Sequence, residues 1–329
     1  PNGKIDTKLS MTPIAIEVEK IVKKPIEFID KIGQRVKNNP KKIFMLENIR
    51  FHEEEEENEL NFAKELSKMA DIYINDAFSV SHRAHSSLCG IPKFLPSYFG
   101  LCMSKEIESL QNSLSTPKKP LLAIIGGSKI LTKIDILKNL NKKVDTMIIG
   151  GAMANTFLLA KGISIGASLF ESQCIDIAQD IINDAKEKNV NLIIPVDGKV
   201  AKSLSMNAVA KNKNIEDIEP DDMILDLGAE SIKIILGELK KAKTVIWNGP
   251  LGAIEYKPFD QATITVAKEL ARNCKQKKIK VVAGGGDTIY GINLSKCVKD
   301  FTHVSTAGGA FLEWLEGKTL PGVSAILDK

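Results

Sequence analysis

Short apolar runs recur along this chain, and each ends in a turn built from glycine, asparagine, aspartate or arginine. Residues 43–46 run into Glu47-Asn48-Ile49-Arg50, and residues 72–74 into Asn75-Asp76. Residues 121–125 meet Gly126-Gly127, and residues 147–149 meet Gly150-Gly151. Residues 245–247 lead into Asn248-Gly249-Pro250, and residues 281–283 into Gly284-Gly285-Gly286. Runs this short, apolar at successive positions, are buried on both faces as parallel strands are. Stretches of helical period stand between them. Thr12 as N-cap and Pro13 in the first turn open a helix whose Ile14, Val18, Ile21 and Val22 share a face. Phe62, Leu66, Met69 and Ala70 make a second such face, and Ile130, Ile134 and Leu137 a third. Strands alternating with helices predict an α/β fold of doubly wound parallel sheets, in which ligands collect beyond the carboxyl ends of the strands.

Length and composition sharpen that picture. The 329 residues suffice for two domains. A boundary is expected near 117–120, where SLSTPKKP follows a helical stretch at 105–114. A hydrophobic share of 43% with 26% charged residues excludes wholesale disorder. No apolar run reaches the roughly 18 residues of a membrane span. A net charge of +4 is too small to imply nucleic acid. The five cysteines are odd in number and widely spaced, which predicts free thiols in a reducing, cytoplasmic setting. The opening PNGKIDTKLS has neither the apolar core of a signal peptide nor an initiator Met, so the chain is expected to begin partway through a longer protein.

The cations are uneven: 41 lysines stand against four arginines, Arg35, Arg50, Arg83 and Arg272. Where lysine is the default cation, arginine marks places that need a planar, forked donor. Arg50 and Arg83 each follow an expected strand, with His82 and His85 beside the second, a set that can grip a phosphate or carboxylate. Structural bridges to Glu47 or Asp76 are the plainer alternative, and a zinc site at His82-x-x-His85 lacks further ligands. Arg35 and Arg272 read as ordinary surface charges, and Glu53–57 as a solvated helix N-terminus favoured by the dipole.

Three further segments carry candidate chemistry. In IIGGSKILTKIDIL (124–137), a strand enters two glycines and a helix on which Lys129 and Lys133 share a face. The Walker A spacing is absent. In WNGPLGAIE (247–255) and AGGGDTIYG (283–291), glycines ahead of a helix offer backbone N–H groups to an anion. Asp287 there suits either an N-cap or a Mg²⁺ shared with phosphates. The segment 303–317 repeats the strand, glycine and helix theme.

With LENIRFH, DIYINDAF, HRAHSS, KFLPSYFG, GGSK…TK, IGGAMANTF, WNGPLG..E, GGGDT and STAGGA in this order, the chain resembles the phosphoglycerate kinases along its whole length. The resemblance implies two Rossmann-like, doubly wound parallel-sheet domains joined by a hinge helix. It also implies reversible phosphoryl transfer from 1,3-bisphosphoglycerate to MgADP, giving 3-phosphoglycerate and MgATP, by a cytoplasmic monomer. By that resemblance Arg50, Arg83 and His85 bind the phosphoglycerate, and Lys129 with Arg83 serves catalysis. Gly126, Gly127, Lys129, Lys133, Gly150, Gly151, Asn248, Pro250, Glu255, Gly285, Gly286, Asp287 and Thr288 hold the nucleotide, with Asp287 on Mg²⁺. The implied division is 1–104 for phosphoglycerate, 105–116 as connector, 117–310 for nucleotide, and 311–329 returning to the hinge.

Pro1-Asn2-Gly3-Lys4 resembles the segment just after the family's H-L-G-R-P motif, so an incomplete N-terminal domain with impaired turnover is expected. Ala307 stands where many members have a third glycine, and Ala229 where proline is usual. Two other readings compete. A nucleotide-binding module without turnover would keep the same fold, whereas an NAD-dependent dehydrogenase requires a G-x-G-x-x-G that is missing.

Overall fold

The structure, a computed structural model, describes residues 1, 3–32 and 42–328; Arg35 lies outside the described residues. The chain divides into two compact units, Pro1–Ser104 with Thr319–Lys329, and Lys105–Lys318.

In the first unit, β1 (Ile26–Ile29) and β2 (Ile43–Leu46) pair in parallel, Ile26 opposite Ile43 and Ile29 opposite Leu46. A second parallel pair joins β3 (Tyr73–Asn75) to β4 (Ser97–Phe99). Four helices follow the order α1 (Thr12–Val22), α2 (Glu53–Glu56), α3 (Leu60–Ser67) and α4 (Leu101–Leu110), the last of which crosses the boundary in sequence. Phe62, Ala63 and Leu66 bury one face of α3, which ends at Ser67 before reaching Met69 and Ala70. The expected apolar face of α1 exists but is uncovered within its unit: only Ala15 is buried, and Ile14 and Ile21 are exposed. Thr12 is not the cap either. Met11 occupies that position, and its N–H donates to Glu47 Oε1 at 2.7 Å. The helix entrance is therefore held by a carboxylate distant in sequence, which local spacing cannot reveal.

The second unit is built on a six-stranded parallel sheet. Its strands in chain order are β5 (Leu121–Ile125), β6 (Thr146–Ile149) and β7 (Asn191–Ile193). After β8 (Asp197–Ala201), β9 (Lys211–Asn214) and β10 (Met223–Leu227) come β11 (Thr244–Asn248), β12 (Lys280–Gly284) and β13 (His303–Ser305). The sheet order is β13-β12-β11-β5-β6-β7, while β8, β9 and β10 form a separate antiparallel sheet ordered β10-β8-β9. Counted within the large sheet alone, the order is 3-2-1-4-5-6, so the winding reverses between β5 and β11. The connecting helices are α5 (Ile134–Leu140), α6 (Met153–Ala160), α7 (Ile175–Glu187), α8 (Ala229–Leu239), α9 (Gln261–Lys275), α10 (Gly286–Leu294) and α11 (Gly308–Leu315). A final helix, α12 (Pro321–Leu327), belongs to the first unit.

Every residue of β5 and β11 is buried, as continuous apolar runs in a doubly covered sheet require. Trp247 is fully enclosed in a core shared with Leu270, Val281 and Ile292. Ala307 has φ −89°, a conformation open to any residue, so no third glycine is needed there. Among the described residues no helix is long and apolar enough to cross a membrane, and all five cysteines are free thiols.

Candidate functional site

The strand order singles out one place in the second unit. Where winding reverses, the helices after the two neighbouring strands depart to opposite faces and leave a crevice at their carboxyl ends. Here Gly126-Gly127 follows β5, and Gly249-Pro250 follows β11, with Ile125 and Asn248 directly opposite in the sheet. The two turns are laced together. Gly126 N–H donates to Asn248 O at 2.9 Å, and Gly127 N–H to Pro250 O at 3.0 Å. A Cβ on Gly126 would lie 2.0 Å from Pro250 O, so no larger residue fits. Gly150 and Gly151 join the same lattice: Gly150 N–H donates to Ile125 O at 2.9 Å, and Gly151 N–H to Leu251 O at 3.0 Å.

Lys133 reaches into this crevice. Its Nζ donates to Asn248 Oδ1 at 2.5 Å, while Asn248 Nδ2 donates to Gly284 O at 2.8 Å. Burial pushes the Lys133 ammonium down to about 8, with the Asp287 carboxylate acting in the other direction. Asn248 thus ties three strand ends together besides lining the crevice. Lys129 is exposed and lies outside α5. The expected shared helical face of Lys129 and Lys133 does not form. Residues Leu131–Lys133 make a tight 3₁₀ turn, and Lys133 itself has φ −127° and ψ 5° ahead of α5. That kink directs Lys133 inward.

At α10, Gly285 occupies the N-cap position with φ +99°, a conformation that favours glycine. The cap reading of Asp287 is therefore corrected: Asp287 is the second residue of the helix, and its side chain is exposed. Open space surrounds Gly286, where an added Cβ would meet no atom within 4 Å. Thr288 is buried, and its Oγ1 accepts from Gly249 N–H at 2.6 Å. It braces the β11 turn against α10. Glu255 is exposed.

In the first unit, Arg50 and His85 line a cavity of about 450 Å³ together with Leu46, Ile74 and Leu88. Arg50 sits in the turn Ile49–Phe51, which Asn48 caps by accepting from Arg50 N–H at 3.1 Å. Burial lowers the pKa of His85, as do the Arg50 and Arg83 charges. Arg83 itself is exposed. Neither guanidinium is bonded to Glu47 or Asp76. Glu47 instead serves Met11, and Asp76 accepts from Met103 N–H at 2.7 Å. The nearest carboxylate to Arg50 is Glu56, at 3.9 Å.

Two carboxylates in this chemistry are invisible to pattern reading. Glu55 is not part of a wholly solvated run: it is 2% exposed and accepts from Ser87 N–H at 2.9 Å and Ser87 Oγ at 2.6 Å. Burial raises its pKa against those hydrogen bonds, and His85 Nδ1 stands 3.6 Å away. Glu171 accepts from Ile130 N–H at 2.5 Å and Leu131 N–H at 3.2 Å, in the turn between the two lysines. No local signal marks either one, because each partner lies more than thirty residues away. Arg272 is a surface charge bridged to Glu269 at 2.6 Å.

The family model for phosphoglycerate kinase matches residues 1–318. Phosphoglycerate kinase of Chelativorans sp. (strain BNC1) is 47% identical over 99% of this chain and 83% of its own length. That of Caulobacter vibrioides (strain NA1000 / CB15N) is 46% identical over 99% of this chain and 84% of its own. The solved structure of phosphoglycerate kinase from Coxiella burnetii superposes with a TM-score of 0.94 at 38% identity, covering 100% of this chain and 83% of that one. The Pyrococcus horikoshii enzyme gives a TM-score of 0.79 at 26% identity, covering 97% of this chain and 82% of that one. The chain belongs to the phosphoglycerate kinase family, phosphotransferases with a carboxyl group as acceptor.

Proposed function

We propose that the second unit binds MgADP and MgATP at the crevice between β5 and β11, and that Arg50, Arg83 and His85 of the first unit bind 3-phosphoglycerate. The observation that carries this reading is the Lys133–Asn248 bond at the winding reversal. It places an ammonium beside glycine turns that admit no bulk. In the forward reaction a β-phosphate oxygen of ADP attacks the acyl phosphorus of 1,3-bisphosphoglycerate. The bond from phosphorus to the carboxyl oxygen breaks, and the carboxylate leaves with its electron pair. No proton has to be removed from the attacking oxygen. Positioning and charge neutralisation therefore supply the catalysis.

Lys133 holds nucleotide phosphate, and Lys129, free to move at the surface, meets the phosphoryl group in transfer. Gly126, Gly127, Gly150 and Gly151 let the nucleotide approach the backbone, with Pro250 and Glu255 bordering it. The N–H groups of Gly285 and Gly286 at the start of α10 face phosphate, a favourable end of the helix dipole. Thr288 keeps the turn of β11 aligned with that helix end. Mg²⁺ fits this donor set, since it is commonly held by one carboxylate and substrate phosphates. Asp287 would be that carboxylate, exposed beside the open space at Gly286. When bound, the ion screens phosphate charge. The reading takes the protein as a cytoplasmic monomer, and the free thiols suit a reducing compartment.

Calorimetry with MgADP, beside a coupled assay for ATP-dependent conversion of 3-phosphoglycerate, tests this reading. Lys133→Ala should weaken MgADP at least about tenfold, as loss of a charge-assisted hydrogen bond of ~1.5–3 kcal/mol implies. Unchanged affinity would remove Lys133 from the site. Binding without turnover would leave a nucleotide-binding module in place of a kinase.

A further inference from the structure

We propose that Glu171 is a positioning residue that fixes the turn carrying Lys129 and Lys133 in the geometry nucleotide phosphates require, an inference that rests on the nucleotide reading above. The turn is fastened at three points. Lys133 Nζ is bonded to Asn248, the Ile130 side chain is completely buried, and the Ile130 and Leu131 N–H groups converge on Glu171 Oε2. The first belongs to the crevice itself and the second is apolar packing. Of the three, Glu171 is the one that holds the backbone itself.

Glu171 is itself anchored. Its N–H donates to Thr156 Oγ1 at 3.2 Å, and Asn155 Nδ2 donates to Leu169 O at 2.9 Å. Thr156 and Asn155 are both buried on α6, the helix that starts just after Gly150-Gly151. The connection therefore runs from the glycine turn after β6, through α6, to the lysine turn after β5. Two of the crevice walls are set by one strut. Without it, the backbone N–H groups of Ile130 and Leu131 lose their acceptor, and the turn keeps only the Lys133–Asn248 bond, the packing of Ile130 and its local turn bonds.

Both hydrogen bonds end on the same oxygen, which separates geometry from charge. One amide carbonyl can accept both, so Glu171→Gln should preserve the turn. Glu171→Asp keeps the charge but withdraws it by one methylene, and Glu171→Ala removes the acceptor. The test measures MgADP and adenosine affinities of the full chain by calorimetry, with amide exchange at Ile130 and Leu131. Glu171→Ala and Glu171→Asp should weaken MgADP about tenfold or more, leave adenosine within about twofold, and accelerate exchange at both amides. Glu171→Gln should stay within about threefold of the parent in each. Adenosine serves as the control because it has no phosphate for the lysines to hold.

MgADP affinity unchanged in Glu171→Asp overturns the proposal, as does equal loss of MgADP and adenosine, which marks a merely structural role. A loss in Glu171→Gln as large as in Glu171→Asp overturns it also, since charge would then be what matters. Should Glu171→Ala fail to fold, the Asp and Gln variants decide between these outcomes. If the parent chain itself binds no MgADP, the nucleotide reading fails and takes this inference with it. Parent binding with indifferent variants sinks the inference alone.

Discussion

The two units use parallel strands very differently. In the second, β5 and β11 have a strand on each side, and all of their residues are buried. In the first, the described residues form two separate parallel pairs, and Ile72 and Ile74 beside and within β3 are 56% and 62% exposed. The closest match in composition is β2 with β5, both short apolar runs, IFML and LLAII, yet Ile43 at the start of β2 is exposed while all of β5 is buried. What differs is how many neighbours each strand has. An apolar run is stabilised by the area it removes from water, about 25 cal/mol per Å², so the same residues contribute far less beside an open edge.

Amide exchange should expose that contrast most strongly. Opening free energies within one protein range from near zero to the global value. We expect amides of β5 and β11 to be protected at least roughly a thousand-fold more than those of β3, about 4 kcal/mol at 1.4 kcal/mol per decade. Equal protection in β3 and β11 would break the comparison outright.

A core substitution should sharpen it. Trp247 is fully buried, and its Nε1 donates to Gly249 O at 2.8 Å. Trp247→Ala should cost the second unit about 3–5 kcal/mol in denaturant unfolding, by loss of packing and creation of a cavity. Both tryptophans, Trp247 and Trp314, lie in that unit, so the emission of Trp314 in the variant reports on it alone. Exchange in β3 should not change. A parallel loss there would show that the units unfold together.

The buried carboxylate of the first unit gives a smaller effect with a pH signature. Glu55→Ala leaves Ser87 N–H without its acceptor, a cost of about 1–3 kcal/mol to the first unit. The pKa of Glu55 is raised in the folded state, mainly by burial, so the folded chain holds this proton more tightly than the unfolded one. Its contribution is therefore fullest below the ordinary value of 4.5 and declines as pH rises through the folded value. The alanine variant should lose that decline in a pH series of first-unit exchange. An unaltered series would mean the carboxyl is not enclosed in solution.

Much of this architecture is legible in the chain itself. Residues 43–46 and 121–125 are strands with the bounds their apolar runs suggest. β9 is the opposite case. Its sequence KNKN has no apolar signal, and only pairing with β8 makes it a strand. At the crevice, glycine turns mark where ligand and backbone come close, yet nothing local says that Thr288 supports Gly249 or that Asn248 holds Lys133. Those bonds depend on which strands become neighbours. Within the run 53–57, five identical residues cannot reveal that the third is the buried one; Ser87, 32 residues away, decides it. Asp226 is hidden for the same reason. Burial lifts it to about 7, and its oxygens accept from Leu227 and Ala262 N–H, the second on α9.

The smallest expected effect concerns α1, whose uncovered apolar face raises the question of what holds it. Lys20 and Glu17 form a bridge at 2.7 Å, but each side chain is 65% exposed. An exposed pair of this spacing is worth about 0.3–0.5 kcal/mol, and salt screens it. The carboxylate of Glu47 is a different kind of contact, accepting from Met11 N–H and from Ser10 Oγ at 2.8 Å to fix the entrance of the helix. Glu17→Gln should therefore alter first-unit unfolding by less than about 0.5 kcal/mol, with or without added salt. Glu47→Gln keeps one acceptor oxygen where two are used, and should cost about 1 kcal/mol, in line with loss of a helix cap. The ratio of the two measurements is the informative quantity. A larger loss at Glu17 would mean that surface charge anchors α1, and the first unit would then differ from the second in its means of cohesion as well as in the burial of its strands.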